Sequence, residues 1–341
     1  MPESSRLSFL PRFLRLVLTA LGAVLLWVPL ACLLWPYRPY LADLLAMTAG
    51  YAVALYLLPM LLACIWRRWR TAGYILLVVV VSGVVVAYQN LPIANPGVVP
   101  FTAAQAAGTQ PAEAFVIVSF NAHGDPTVDQ NAFADWVLSR GAQVVVVISA
   151  PDDETVLSRR LVEEQGYHRA SRFGQSVYVL GRVDVRLFTG PDRPGEISPP
   201  LRVASFEAQL YGGQTLRLLP ERFPSPRSAL LWENSLGLAL AYGRWAAWVD
   251  EHAAPPVIAP HDDNSTPAGR LYQVFAGASG FCDAQTSFLP HGTWPAYLPP
   301  WASLSIDHIW LSRKLLLEGS GVGPPVGTLH RPVWAAVRVQ R

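Results

Sequence analysis

Apolar residues run almost unbroken through the first quarter of the chain, and only later does the pattern change to short apolar strands separated by polar loops. From Leu14 to Leu91 the only charges are Arg15, Arg38, Asp43, Arg67, Arg68 and Arg70. A helix needs about 20 apolar residues to cross roughly 30 Å of hydrocarbon. Leu14–Trp35, Tyr40–Trp66 (with Asp43 near one end) and Ala72–Tyr88 meet that need, and the pattern predicts three spans within residues 1–90. Two further spans after the first argue against a cleaved signal peptide. Aromatic residues such as Trp35, Tyr40, Trp66 and Tyr88 sit at segment ends, as interfacial rings do. Arg6, Arg12 and Arg15 before the first span, and Arg67, Arg68 and Arg70 in the second loop, outweigh the lone Arg38 of the first loop. The excess of cations marks the cytoplasmic side, so the N-terminus is expected inside and everything after about residue 90 outside. Residues 91–112, rich in Pro, Ala and Gly, read as a linker to a domain over 113–341.

Within that domain the apolar periods predict a mixed α/β fold. Ala114–Phe120 and Gln143–Ser149 are β-branched runs flanking a helical stretch, Asn131–Arg140, which suggests a parallel strand pair with a crossover helix. Gln175–Leu180 with Val183–Phe188, turning at Gly181-Arg182, and Arg202–Leu210 with Gln214–Leu219, turning at Gly212-Gly213, read as two hairpins. Leu230–Glu251 is a long amphipathic helix, and Val257–Ala259, Ser305–Ser312 and Val333–Val339 are further strands. Interleaved strands, helices and hairpins point to an α/β sandwich with mixed sheets.

Composition sharpens this picture in two ways. Only 15% of the residues are charged, against about 25% in soluble domains, which fits the apolar first quarter. The net charge of +2 is too small to imply a polyanion-binding surface, and nucleic acid is not expected as a partner. Of the three cysteines only Cys282 lies in the domain, so no internal bridge supports it.

Polar residues gather just beyond strand ends, where α/β folds collect ligands. Asn121 follows the first strand, His261-Asp262-Asp263-Asn264 follows VIAP, Asp307-His308 opens IDHIWLS, and His330-Arg331 precedes the last strand. In this order, with Ser119–Asn121 as S-F-N, Thr293-Trp294-Pro295 as T-W-P and Thr328–Val333 at S-D-H-R-P-V, these segments resemble the endonuclease/exonuclease/phosphatase superfamily, the metal-dependent phosphoesterases related to DNase I. The resemblance covers about residues 113–341 and implies a four-layer α/β sandwich of two mixed sheets. A few hydrophobic anchoring helices are common among bacterial members, which makes the bacterial inner membrane the expected location. The resemblance also assigns roles: Asn121 and Asp307 to the metal and phosphate shell, Asp262 to orienting or deprotonating water, Asn264 to the phosphate oxygens and His330 to the charge of the transition state.

The departures from the family pattern carry as much information. Ser149 stands where the family has a principal Mg²⁺-ligating glutamate, and a neutral group cannot offset the desolvation of a hard dication. The stretch Leu218–Pro226 lacks the family's central His, and Leu329 replaces the aspartate that pairs with the final His. Asp152, Asp153 and Glu154 could lend a carboxylate, or His123 or the His261-Asp262-Asp263 cluster could suit another metal; the plainer reading makes Asp152–Glu154 a solvated helix start, Asp262 with Asn264 a side-chain-held turn, and His308 a core residue. The expectation is a membrane-tethered domain with a degenerate active site and no cofactor. It would bind a ligand or serve as a subunit of a membrane complex, with the bilayer and other membrane proteins as partners. The alternative is an active Mg²⁺-dependent phosphodiesterase or phosphatase.

Overall fold

The computed structural model describes residues 39–48, 60–61, 64–65, 69–90, 114–187, 204–252, 255–285 and 292–340. The chain divides into two compact units, Met1–Gln89 and Asn90–Arg341. In the first, helices α1 (Tyr40–Met47) and α2 (Trp69–Asn90) are described. The expected span Leu14–Trp35 and the linker 91–112 lie outside the described residues, Tyr40–Trp66 is described only in part, and Ala72–Tyr88 falls within α2. Among the described residues no helix is long and apolar enough to cross a membrane.

The second unit is built on two sheets. One runs in the order β12-β13-β1-β2-β4-β3, the other β10-β11-β9-β7-β6-β5, with β8 alongside β9. Their residues are β1 Phe115–Asn121, β2 Val144–Ile148, β3 His168–Arg172, β4 Gln175–Val179, β5 Gly181–Leu187, β6 Ala204–Leu210, β7 Thr215–Leu218, β8 Glu221–Arg222, β9 Val257–Asp262, β10 Cys282–Asp283, β11 Asp307–Leu311, β12 Leu315–Val322 and β13 Val333–Val339. The pairs β1–β2, β7–β9 and β8–β9 are parallel and their neighbours antiparallel, so both sheets are mixed.

Three apolar clusters define the layers. Phe115, Ile117, Val146, Phe206, Leu218, Ile258, Ile309 and Val337 fill the space between the sheets. Val118, Phe120, Val145 and Val147 turn to the other face of the first sheet, under helix α3 (Gln130–Ser139) and a short turn α4 (Thr155–Ser158) that continues as a π-helical turn over Arg159–Glu163. Val257, Ala259 and Trp310 pack under α5 (Ala229–His252) and α6 (Arg270–Ser279) on the outer face of the second sheet. The α/β sandwich with two mixed sheets is therefore as expected, and the period-2 alternation of each strand sorts its residues between the inner core and a helix layer.

One pairing differs from the sequence reading. Gln175–Leu180 and Val183–Phe188 do not form a hairpin: β4 pairs with β2 and β3 in the first sheet, whereas β5 pairs with β6 in the second. The chain changes sheet at Gly181, whose φ is 148° and where a Cβ would stand 2.0 Å from the Gln209 carbonyl oxygen. A glycine there signals close backbone approach between strands, and not a two-residue turn. The second expected hairpin, β6–β7, forms as read.

Candidate functional site

Alternation along three strands brings the polar residues together. On β1, Phe115 and Ile117 face the inter-sheet core, so Asn121 at the strand's end faces the same way. On β9, Ile258 faces inward while Val257 and Ala259 face the helices, which turns Asp262 inward and His261 outward. On β11, Ile309 and Leu311 are inward, so Asp307 is too, and it lies directly opposite Asp262 in the antiparallel register.

The side chains meet there. Asn121 Nδ2 donates to Asp262 Oδ2 at 2.7 Å, while Asn121 Oδ1 accepts the His123 backbone N–H at 2.8 Å. Asp262 also accepts the Asn264 N–H at 2.9 Å and the Asn264 Nδ2 at 3.0 Å, and Arg222 Nε lies 3.4 Å from its Oδ2. Asn264, at φ 48°, sends its Nδ2 on to the Phe223 carbonyl at 2.8 Å. His330 Nδ1 reaches both oxygens of Asp307, at 2.9 and 3.2 Å. The pairing acid expected to vanish with Leu329 is thus supplied by Asp307, and Leu329 itself lies half out of the protein.

Burial and charge set the protonation states. Burial, then the charge of Asp307, pushes the Asp262 carboxyl up to about 7, against the opposing pull of His330, the Asn264 N–H and Arg222. For His330 burial favours the neutral ring, but the charge and hydrogen bond of Asp307, with Asp262 behind it, raise it above the usual imidazole range. His123, stacked on His330 at 6.1 Å between centroids, is lowered by burial and then by Arg222, His330 and Arg227.

Asp262, Asp307 and His330 each offer a ligand atom within 4.8 Å of the others. Two of the three acids that might have completed such a group, Asp153 and Glu154, are engaged elsewhere. Asp153 Oδ1 accepts the Thr155 N–H at 2.9 Å. Glu154 is buried, not solvated as the sequence reading had it, because its carboxylate holds Arg169, the Ser176 hydroxyl at 2.6 Å and the Tyr178 hydroxyl at 3.0 Å. Ser149, at φ 47°, sits just past β2, and its carbonyl accepts the Gly124 N–H at 2.6 Å.

Behind the site, facing the helices, is a second polar layer. His261 Nδ1 meets Asp263 Oδ1 at 3.2 Å, and Asp263 Oδ2 accepts Trp310 Nε1 at 3.1 Å. His308 Nδ1 lies 2.8 Å from Asp283 Oδ2 and its Nε2 lies 3.1 Å from the Ser265 carbonyl, the core role expected of it. The His261-Asp262-Asp263 run therefore cannot act as one metal cluster: strand alternation points its middle residue into the site and its neighbours away.

Among solved structures, the human nocturnin catalytic domain aligns over 68% of this chain and 100% of its own, at TM-score 0.50 and 12% identity. The fold is that of the endonuclease/exonuclease/phosphatase proteins. Family structures from Bacteroides thetaiotaomicron (TM-score 0.49, 14% identity, 68% of this chain and 100% of that one) and Bacteroides vulgatus (0.48, 14%, 67% and 99%) also align. No family model matches the sequence, and no curated protein does. In this endonuclease/exonuclease/phosphatase fold the five residues singled out in the sequence, Asn121, Asp262, Asn264, Asp307 and His330, occupy one site. Sequence reasoning missed Arg222 and Arg227. Arg222 lies in the stretch searched for a histidine and Arg227 directly after its end, so a search for any cation there would have found both.

Proposed function

We propose that this chain is a membrane-tethered domain of the endonuclease/exonuclease/phosphatase fold whose site binds a ligand and has lost metal-dependent turnover. The observation that carries the proposal is that the candidate metal donors are already spent. Asp262 takes three hydrogen bonds and a guanidinium at 3.4 Å, and both Asp307 oxygens face His330. Mg²⁺ demands near-octahedral oxygen ligation at about 2.0–2.1 Å. Two carboxylates occupied by internal donors, with cationic groups beside them and no acid at Ser149, do not fit that demand. Phosphoryl transfer rests on positioned charge, and losing one preorganised group typically costs about 10²–10³ in rate.

The close approach of Asp262, Asp307 and His330 favours the second reading, a working Mg²⁺-dependent phosphodiesterase. The full chain, purified in detergent and assayed with Mg²⁺ or Mn²⁺ on a bis-aryl phosphodiester, decides between them. We expect background rates. Turnover that Asp262→Ala abolishes would establish the enzyme instead.

The tether rests on the three apolar stretches and on the arginine bias, which support a bacterial inner-membrane location with the domain on the outer side. Small residues in those stretches, among them Gly22, Ala46 and Gly83, suit close packing against other membrane helices, so a role as a complex subunit is part of the same proposal.

A further inference from the structure

Among the described residues of the domain, two of the three most exposed aromatic rings stand on one loop: Tyr297 is 76% exposed and Trp301 74%. Leu298 lies between them. Leu329, 47% exposed, adjoins the loop, because its carbonyl accepts the Ala296 N–H at 2.8 Å. Neither segment carries charge: Gly292–Leu304 and Gly319–Leu329 contain no acidic or basic residue. The loop is held from behind. Arg331 Nη2 donates to the carbonyls of Ala296 and Leu298 at 2.8 and 2.9 Å, and the Ser303 hydroxyl lies 3.0 Å from the Pro295 carbonyl and 3.1 Å from that of Pro299. Both holding side chains belong to buried residues, so a fixed backbone presents the apolar rings to solvent.

From this arrangement we infer that the face formed by Tyr297, Leu298, Trp301 and Leu329 docks on the surface of a lipid bilayer. An exposed apolar patch of this kind marks an interaction surface. Trp and Tyr are the side chains enriched at the membrane interface, where the ring sits among the headgroups and its polar end stays wet. A charge carried into that layer would oppose docking, and these two segments have none. Pro299 and Pro300 lie between the two rings, so little chain entropy is lost when the loop docks. The rest of the chain favours a bilayer as the occupant. Residues 91–112 join the last apolar stretch to the domain, and a connection of this length reaches at most about 80 Å. A tether makes docking intramolecular, at an effective concentration on the order of millimolar, and a weak patch then suffices. The inference rests on the tether in the proposed function. Leu329 directly precedes His330, so docking would hold the site beside the lipid surface.

Tyr211 supplies the control. It follows β6 at the turn into β7, is 75% exposed and carries the same ring as Tyr297. Hydroxyl-radical labelling of the full chain, one copy per nanodisc of phosphatidylethanolamine and phosphatidylglycerol, compares the two rings by mass spectrometry. We expect Tyr297 to be oxidised about fivefold slower than Tyr211, as for a patch docked about four-fifths of the time at a tether-held concentration. Trp301→Glu should bring the two rates to parity, because it carries a charge into the docking layer. Equal rates in the wild-type chain would overturn the inference and leave the patch to a protein partner. Undiminished protection of Tyr297 in Trp301→Glu would overturn it too, since the shielding would then not depend on this face. Should that variant not fold, Leu329→Glu, on the neighbouring segment, is read in the same way.

Washing native membranes with alkaline carbonate separates this failure from that of the proposed function. Release of the chain by the wash sinks the tether, and the docking with it. A chain that resists the wash, but whose Tyr297 is as reactive in discs as Tyr211, sinks the docking alone.

Discussion

His308 shows how a single buried ring can set the pH range of a fold. Burial alone would strip its proton, but the charge and hydrogen bond of Asp283, with Asp263 and the Ser265 carbonyl, lift it to about 9. A folded-state value above the ordinary 6.5 stabilises the fold fully below about pH 6.5, and the contribution disappears as pH rises through about 9. The shift corresponds to about 3 kcal/mol for a ring with no exposure to solvent. Denaturant midpoints of the full chain should therefore fall between pH 6 and pH 9.5. His308→Gln should be less stable at pH 6 and lose part of that dependence, the rest belonging to other raised groups such as Asp262 and His330; an undiminished slope in the variant would refute the assignment. The sequence marked His308 as a core residue from its place in an apolar strand. Its partner Asp283 could not be read, because Cys282–Asp283 is a two-residue strand that pairs only through its register with β11.

At the scale of elements, helix α3 is capped by Asp129, whose carboxylate accepts the Ala132 N–H at 2.9 Å. Asp129→Ala should cost about 1 kcal/mol in unfolding free energy, and a change below a few tenths would show that the cap is idle. Trp310 ties β11 to the helix layer: it is fully buried and its Nε1 donates to Asp263. Trp310→Ala should lower stability by about 3–5 kcal/mol through the cavity and the loss of the donor to Asp263 Oδ2, read as a large drop in the denaturation midpoint. Gly181→Ala should cost about 2 kcal/mol or more in the same measurement, because both its φ and the nearby Gln209 carbonyl exclude a Cβ. A mild effect would mean that the crossing between sheets relaxes easily. The strands themselves were legible from alternation. That β4 and β5 belong to different sheets was not, since a strand's pattern records how many of its faces are covered and not which neighbour covers them.

For the whole molecule, tethering makes a prediction about access. Protease added to intact spheroplasts should remove the domain over 113–341, and full protection would reverse the orientation drawn from the arginines. What the sequence determined by itself was the apolar quarter, the periods of most strands and helices, and the identity of the five polar residues at strand ends. All of these are local: each follows from residue type and spacing along one segment. Tertiary structure decided how those residues are used. Contacts between segments separated in sequence put Asp307 against His330 in place of the acid missing at Leu329, tied Glu154 to Arg169, Ser176 and Tyr178 so that it cannot serve the site, and set Arg222 beside Asp262. Such pairings depend on the register and packing of distant strands, which no stretch of sequence encodes alone, and a carboxylate's chemistry follows from what faces it.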